Sequence, residues 1–235
     1  MRVFCRRYLG IGGAFLLIAL VFCAFEEKGQ TWMWYYGVLY NRTYFLVLYL
    51  PLFFLGMVPI TVRAFIGEIV IRYPHKFDFV WSLELRILYY AGYVGAVFLL
   101  CNLLTVCLYC ESWEESGINT WFLLQAFFFQ WSGWCLIGNL FLISSLLCRN
   151  AAGAYLSCLV FLILITSLGM LGTLSEVDWL IGIYESIYLF FEKTPALRIP
   201  FLLYNWMLSV GLTAVSAGIL KRKEWLQNEK GVREK

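Results

Sequence analysis

The residues with the most chemical potential in this sequence are a cysteine pair and a pair of adjacent glutamates. Cys107 and Cys110 have the spacing of a metal-binding pair, but too few further ligands accompany them, and the only histidine, His75, lies far along the chain. Glu114 and Glu115 lack the histidines and the arginine with which a membrane protease would use two acids. The sequence also lacks a Walker A motif. It therefore predicts no enzyme, no metal and no cofactor in this chain.

A second candidate is the polar segment 63–86, where charged and apolar residues recur every four positions. Positions that share one of two neighbouring helical faces are Phe65, Glu68, Ile69, Arg72, Tyr73 and Lys76. Pro74 disfavours helix immediately before it, and Phe77, Trp81 and Leu85 continue the four-residue spacing. This pattern predicts two short amphipathic helices at the inner membrane surface. They serve either as a connector that lies on lipid or as a docking surface for a cytoplasmic partner.

A third candidate is the segment 175–198, whose acidic residues are seven positions apart. These residues are Asp178, Glu185 and Glu192, with Trp179 among the apolar residues of the other side. A loop this apolar will not stay in water, so the pattern predicts a segment that dips back into the outer leaflet. It is either an ordinary interfacial helix or a lid near the exit of a transport pathway.

The elements that must position these segments are six uncharged apolar runs. The chain of 235 residues is 62% hydrophobic and 14% charged, whereas soluble domains carry about 25% charged residues. Runs of roughly 20 apolar residues cross a bilayer, and lipid requires them to be helical. The sequence thus predicts an all-α, polytopic membrane protein that forms one domain over residues 1–235. Its six transmembrane helices are predicted at about 9–25, 44–62, 87–110, 118–148, 151–174 and 199–220.

Two of these runs need an interpretation of their own. The first follows Arg2, Arg6 and Arg7 as in a signal sequence, but it lacks an Ala-x-Ala exit, so it is interpreted as a retained helix. The fourth would be roughly 46 Å long as a straight helix. It is interpreted as a single crossing, tilted or bent at Gly133 or Gly138.

The flanking basic residues predict the orientation. Of the 18 lysines and arginines, all but Lys28, Arg42, Lys193 and Arg198 fall on one side of the six runs. The positive-inside rule then places both termini and the segment 63–86 in the cytoplasm. The net charge of +3 and the lack of a basic stripe do not indicate a nucleic-acid partner.

The runs contain few polar side chains. The strongest are Asn102, Gln125, Gln130, Asn139 and Asn205. Such groups most often form hydrogen bonds between neighbouring helices, although each could also contact a substrate. No acidic or basic residue falls inside the six predicted runs, which disfavours a proton-driven carrier, because such carriers need a titratable group at membrane depth.

This layout resembles the ABC-2 type permeases, the membrane subunits of many ABC exporters with type V architecture. The resemblance is one of architecture over the whole chain, and the short segment Met1 to Tyr8 departs from it. It implies a coupling helix at Phe65 to Arg72, continuing through Lys76, and outer re-entrant helices at Ser175 to Thr194. It also implies a separate cytoplasmic ATPase subunit, a second identical or different permease, and a cell-membrane location.

Small permeases rich in Phe and Tyr also resemble those of bacteriocin or antimicrobial-peptide export and immunity systems. The expected function is export of a hydrophobic or amphipathic peptide, lipid or drug. The alternative is a non-transporting immunity or scaffold protein of the membrane. A channel, a carrier or a lipid-modifying enzyme remains a further alternative.

Overall fold

The computed structural model describes residues 2–26, 31–61, 76–109, 120–148, 150–170, 187 and 195–233. Within these ranges every regular element is helical, so the predicted all-α class is confirmed there. The helices are α1 Arg2–Ala24, α2 Trp32–Leu39, α3 Arg42–Tyr44, α4 Leu50–Thr61, α5 Lys76–Tyr109, α6 Thr120–Cys148, α7 Ala151–Met170 and α8 Pro195–Arg233, with a π-helical turn Phe45–Tyr49 between α3 and α4.

Four helical stretches of the described chain are long and apolar enough to cross a membrane. They are Trp34–Thr61, Phe77–Tyr109, Trp121–Cys148 and Arg198–Arg222. Tyr8–Ala24 and Ala151–Leu164 are apolar but shorter. Large apolar side chains also point outward along these helices, including Met207, which is 75% exposed. A surface of this kind suits lipid rather than water, and the chain has the character of a polytopic membrane protein.

The helical units alternate in direction. Tyr93 donates a hydrogen bond to the carbonyl of Tyr8, so α1 runs parallel to α5. Tyr90 bonds the carbonyl of Phe53, and contacts further along show that α2–α4 run antiparallel to α5. Trp131 bonds the carbonyl of Leu88.

The remaining helices continue this alternation. α6 runs antiparallel to α5, α7 turns back along α6, and α8 runs parallel to α6. The starts of α1 and α5 and the end of α8 therefore share one end of the bundle, called here the N-terminal end.

The second apolar stretch begins earlier than the predicted start at Tyr44. Tyr35, Tyr36 and Tyr40 precede that position and are buried in the bundle. Asn41 then interrupts the helix, and its side chain accepts a hydrogen bond of 2.8 Å from the Thr43 amide, which caps α3. The sequence pattern treated these aromatic residues as an outer loop because Arg42 follows them.

The π-helical turn has a local cause. Pro51 has no amide hydrogen, so the carbonyl four residues before it loses its α-helical partner. The Leu50 amide instead bonds the carbonyl of Phe45, five residues back. The chain thus continues into α4 without a break, at the cost of a local widening.

The third helix begins about three turns before the predicted start at Ile87. α5 starts at Lys76 and is continuous to Tyr109, so residues 76–86 are not a separate short helix. Phe79, Val80 and Leu83 are buried on its inner face, while Phe77 and Trp81 are exposed on the other. Helical periodicity within residues 76–86 is confirmed, but these residues extend α5 rather than standing apart.

The fourth helix is one unbroken element. α6 runs from Thr120 to Cys148, and two of its glycines, named above as possible bend points, lie at close contacts with neighbouring elements. A side chain on Gly133 would overlap Ile187, and one on Gly138 would press on Ile87. Both glycines therefore let neighbours approach the α6 backbone closely.

The centre of the bundle is aromatic. Trp134 of α6 is fully buried, and its ring centre lies 4.6 Å from that of Phe53 and 5.7 Å from that of Phe45. Phe98 stacks on it from α5 at 6.0 Å. Four elements of the chain meet at this cluster, which places α6 at the middle of the fold.

Candidate functional site

The predicted site residues divide into those that the structure describes and those that it does not. The coupling residues Phe65, Glu68, Ile69, Arg72 and Tyr73 lie outside the described residues, as do Asp178, Trp179, Glu185 and Glu192. Lys76 is the first residue of α5. The five predicted intramembrane polar residues are all described, and they lie on three packed helices, α5, α6 and α8.

The first polar cluster lies between the end of α2, α5 and α6. The Tyr40 hydroxyl lies 3.0 Å from Asn102 Oδ1 and 3.3 Å from the carbonyl oxygen of Phe98. Gln130 stands beside this hydroxyl. Both amide atoms of Gln130, together with Asn102 Nδ2 and Trp134 Nε1, are buried and lack a hydrogen-bond partner within the described chain. Buried polar atoms rarely stay unpaired, so this cluster is a place where a ligand or water could bind.

The second cluster joins α6 to α8. Asn205 Nδ2 donates to Ser132 Oγ at 3.3 Å, and Ser132 donates in turn to the carbonyl of Phe129 at 2.9 Å. Closer to the first residues of both helices, Arg198 Nη1 donates to Gln125 Oε1 at 3.0 Å. Two of the predicted polar residues therefore act between helices, as membrane packing favours.

The third cluster contains a residue that the sequence reasoning missed. Asn139 Nδ2 donates to Glu84 Oε1 at 3.0 Å. Glu84 is 8% exposed and Asn139 is fully buried. Since Phe77–Tyr109 is one of the four long apolar stretches, a carboxyl group does lie inside it. The predicted run 87–110 holds no acidic residue, but the apolar helix that contains it begins earlier and includes Glu84.

Hydroxyl and thiol groups complete this third cluster. The Thr213 hydroxyl faces the Glu84 carboxyl, and it donates to the carbonyl of Ser209 at 2.9 Å. The Cys135 thiol lies close to the same carboxyl from α6. Glu84 Oε2, Asn139 Oδ1 and Ser209 Oγ are buried, and none has a partner among the described residues.

These clusters form a polar seam along α8, defined by Asn205, Ser209, Thr213 and Ser216. All four residues are buried, and their spacing places them on one helical face. Val210, between them in sequence, is 68% exposed. The polar side of α8 thus packs inward against α6, while its apolar side points away from the bundle. The sequence signal for this seam is the four-residue spacing of small polar residues within an apolar run.

The described cysteines remain free thiols. Cys23, Cys101, Cys135 and Cys158 are buried, and Cys107 is exposed. Within the described ranges, no three or more His, Cys, Asp or Glu side chains come together where they could hold a metal ion. Cys23 Sγ lies 3.7 Å from Thr105 Oγ1, and a buried thiol of this kind packs as a small apolar side chain.

The site offers limited chemistry. It has one buried carboxyl group, several amides and hydroxyls, and no described cationic side chain next to the carboxyl. These groups can exchange hydrogen bonds, hold a proton or contact a polar portion of a ligand.

Comparison of the chain with protein-family models, with curated proteins and with solved structures gives no match.

Proposed function

We propose that the protein is the membrane-spanning permease subunit of an ABC transporter of the ABC-2 type, located in the cell membrane. It exports a hydrophobic or amphipathic peptide, lipid or drug, and a separate ATPase subunit drives the transport. The observation that supports this most is that six helical units, α1, α2–α4, α5, α6, α7 and α8, alternate in direction. Their order brings the starts of α1 and α5 and the end of α8 to one end of the bundle.

The position of the coupling segment supports the same proposal. Residues 62–75 connect the end of α4 to the start of α5, and both of these positions lie at the N-terminal end. Just after the segment, Phe77 is 62% exposed and Trp81 is 51% exposed on one face of α5. An ATPase bound to Glu68, Arg72 and Lys76 would find an apolar surface next to these charged residues. Closure of the ATPase would then act directly on α5, which is a continuous helix from Lys76 to Tyr109.

The proposed exit segment gains support from Ile187, the one described residue between Ser175 and Thr194. Ile187 is fully buried, and it packs against Gly133 near the middle of α6. Gly133 lies about 20 Å from the start of α6, at 1.5 Å per residue. A segment that re-enters the bundle from the far end would bring a side chain to this depth. Movement of α6 would then displace the exit segment.

The proposed dimer and lipid contacts fall on α8. Ile199, Leu203, Met207 and Val210 are exposed along one side of this helix. An apolar ridge of this kind suits either lipid tails or a second permease, homodimeric or heterodimeric. A substrate with a large apolar surface could pass along such an interface without meeting a fixed charge.

The experiment is affinity purification of the full-length tagged chain from its native membrane into nanodiscs. A soluble P-loop ATPase is expected to remain bound, and its ATP hydrolysis should rise in the presence of the permease. The charge reversals Glu68→Lys and Arg72→Glu are expected to release it. The control variant Glu26→Lys, at the opposite end of the bundle, should leave the ATPase bound.

A different result would favour the alternative function. If no ATPase is retained, or if charge reversal at Glu68 and Arg72 changes nothing, the permease proposal fails. Retention of a small antimicrobial peptide without an ATPase would support the non-transporting immunity or scaffold protein.

A further inference from the structure

One hydrogen bond joins Glu84 and Asn139, and it leaves one oxygen atom of each side chain without a partner in the described chain. Asn139 Nδ2 donates to Glu84 Oε1 at 3.0 Å. The remaining carboxyl oxygen, Glu84 Oε2, and the remaining amide oxygen, Asn139 Oδ1, are buried and have no partner among the described residues. A carboxylate oxygen and an amide oxygen both accept hydrogen bonds, so neither can satisfy the other. A donor is missing at this contact.

The groups that face the carboxyl do not supply this donor. From α8, the Thr213 hydroxyl lies within hydrogen-bond reach of the carboxyl, but its single hydrogen is shared with the carbonyl of Ser209 at 2.9 Å, and Glu84 Oε2 stays without a partner among the described residues. From α6, the only titratable group that faces it is the Cys135 thiol, which is a weak donor. α4 and α6 contain no Lys or Arg. On α8, Arg198 donates to Gln125, and Lys221 and Arg222 are exposed. On α5 itself, Asp78 and Arg86 are exposed on the surface.

We propose that Glu84 binds one proton on Oε2 and forms a cyclic acid–amide pair with Asn139. The carboxyl O–H then donates to Asn139 Oδ1 while the amide N–H donates to Glu84 Oε1. One proton satisfies both leftover atoms at once, and the pair carries no net charge. A neutral pair avoids the cost of a lone carboxylate inside an apolar helix bundle. This proton site does not depend on the proposed transport function.

The pair ties α5 to α6 through a titratable group. Loss of the proton would leave two hydrogen-bond acceptors without a donor, and it would leave a negative charge inside the bundle. The contact between the two helices would then weaken, so the site couples proton binding to the packing of α5 on α6. The Ser209 hydroxyl lies on the seam one turn before Thr213, where it is buried and unpaired within the described chain, and it can donate as well as accept a hydrogen bond.

The test is infrared difference spectroscopy of the full-length protein in nanodiscs at neutral pH. The wild type minus Glu84→Gln spectrum should contain the C=O stretch of a protonated carboxyl, and this band should shift in D2O. Asn139→Leu should move the band, because it removes the amide partner. The matched control Asp78→Asn, an exposed carboxyl on the same helix, should change only carboxylate bands.

The opposite result is equally specific. If the Glu84→Gln difference contains only carboxylate bands, the proposal is overturned. Carboxylate bands that change when choline replaces sodium would overturn it in favour of a bound cation. Should Glu84→Gln fail to fold, the wild type alone decides the question. A protonated carboxyl band that shifts in D2O and disappears at high pH supports the proton site, and a spectrum without such a band refutes it.

Discussion

Glu84 of α5 and Asn139 of α6 are joined by a hydrogen bond of 3.0 Å although they stand 55 positions apart in the chain. Both residues are buried where α5, α6 and α8 meet. α5 and α6 are long and mostly apolar along this contact, so their register depends on a few polar contacts such as this one and the bond from Trp131 to the carbonyl of Leu88. A slide of one turn would break the bond between Glu84 and Asn139 and leave two buried polar groups unpaired. The contact therefore helps to fix the register between the two helices.

The first prediction concerns the strength of this contact. We expect Asn139→Leu and Glu84→Leu each to lower stability by about 1–3 kcal/mol, because each leaves a buried partner unsatisfied. The double variant should lose less than the sum of the two, with a coupling of about 0.6–2 kcal/mol. Unfolding by denaturant in detergent micelles measures all three. Asp78→Asn combined with Asn139→Leu is the control and should be additive; additivity for Glu84 and Asn139 would refute the contact.

The second prediction concerns the packing of Ile187 against Gly133. A methyl group on Gly133 would overlap the Ile187 side chain, so Gly133→Ala should lower stability by about 1–3 kcal/mol. Ile187→Ala introduced into that variant should restore part of the loss, because the space is then available. The control is Gly218→Ala, where a methyl group meets nothing within 4 Å. Equal behaviour of the two glycine variants in thermal unfolding would show that Ile187 does not pack there.

The third prediction concerns Gln130, whose two amide atoms have no partner in the described chain. Gln130→Met keeps a similar volume and removes the unsatisfied atoms, so stability should stay the same or rise. Asn205→Leu is the matched comparison, because it breaks the bond to Ser132 and should be destabilising by about 1 kcal/mol. Thermal unfolding in nanodiscs measures both variants. A clear loss of stability in Gln130→Met would mean that the amide bonds the Tyr40 hydroxyl beside it, a water molecule or a ligand.

Several helices could be predicted from the sequence because they follow from apolar length alone. The predicted runs 118–148 and 151–174 correspond to α6, Thr120–Cys148, and α7, Ala151–Met170. The predicted run 199–220 lies within α8, which continues to Arg233. Uncharged runs of this length have no alternative to helix, so neither packing nor partners were needed to find them.

The starts of the second and third helices could not be predicted by the same rule. Four charged residues, Lys76, Asp78, Glu84 and Arg86, made the first turns of α5 look like a separate surface helix rather than the start of a membrane helix. A helix can carry such residues if its periodicity turns them outward, and Asp78 and Arg86 are exposed. Glu84 is the exception, because it turns inward and meets an amide. That pairing depends on the rotation of two helices about their axes, which no single run encodes.

For the polar site, the sequence could indicate the buried amide residues but not the residues that they contact. Asn102, Gln130, Asn139 and Asn205 stand out because each interrupts an apolar run, and all four are buried. Their partners Tyr40, Glu84 and Ser132 could not be predicted. Each partner is distant in sequence, and the choice among many polar residues is made by the packing of the bundle.

We propose that the helices alternate across a membrane, with the start of α5 and the end of α8 on its cytoplasmic side. The most direct test introduces single cysteines by Lys76→Cys, Asn228→Cys and Thr31→Cys into a chain whose native cysteines are replaced. An impermeant thiol reagent is then added to sealed vesicles of both orientations. We expect the first two positions to react only in inside-out vesicles and the third only in right-side-out vesicles. Reaction of positions 76 and 228 from opposite sides would contradict the account.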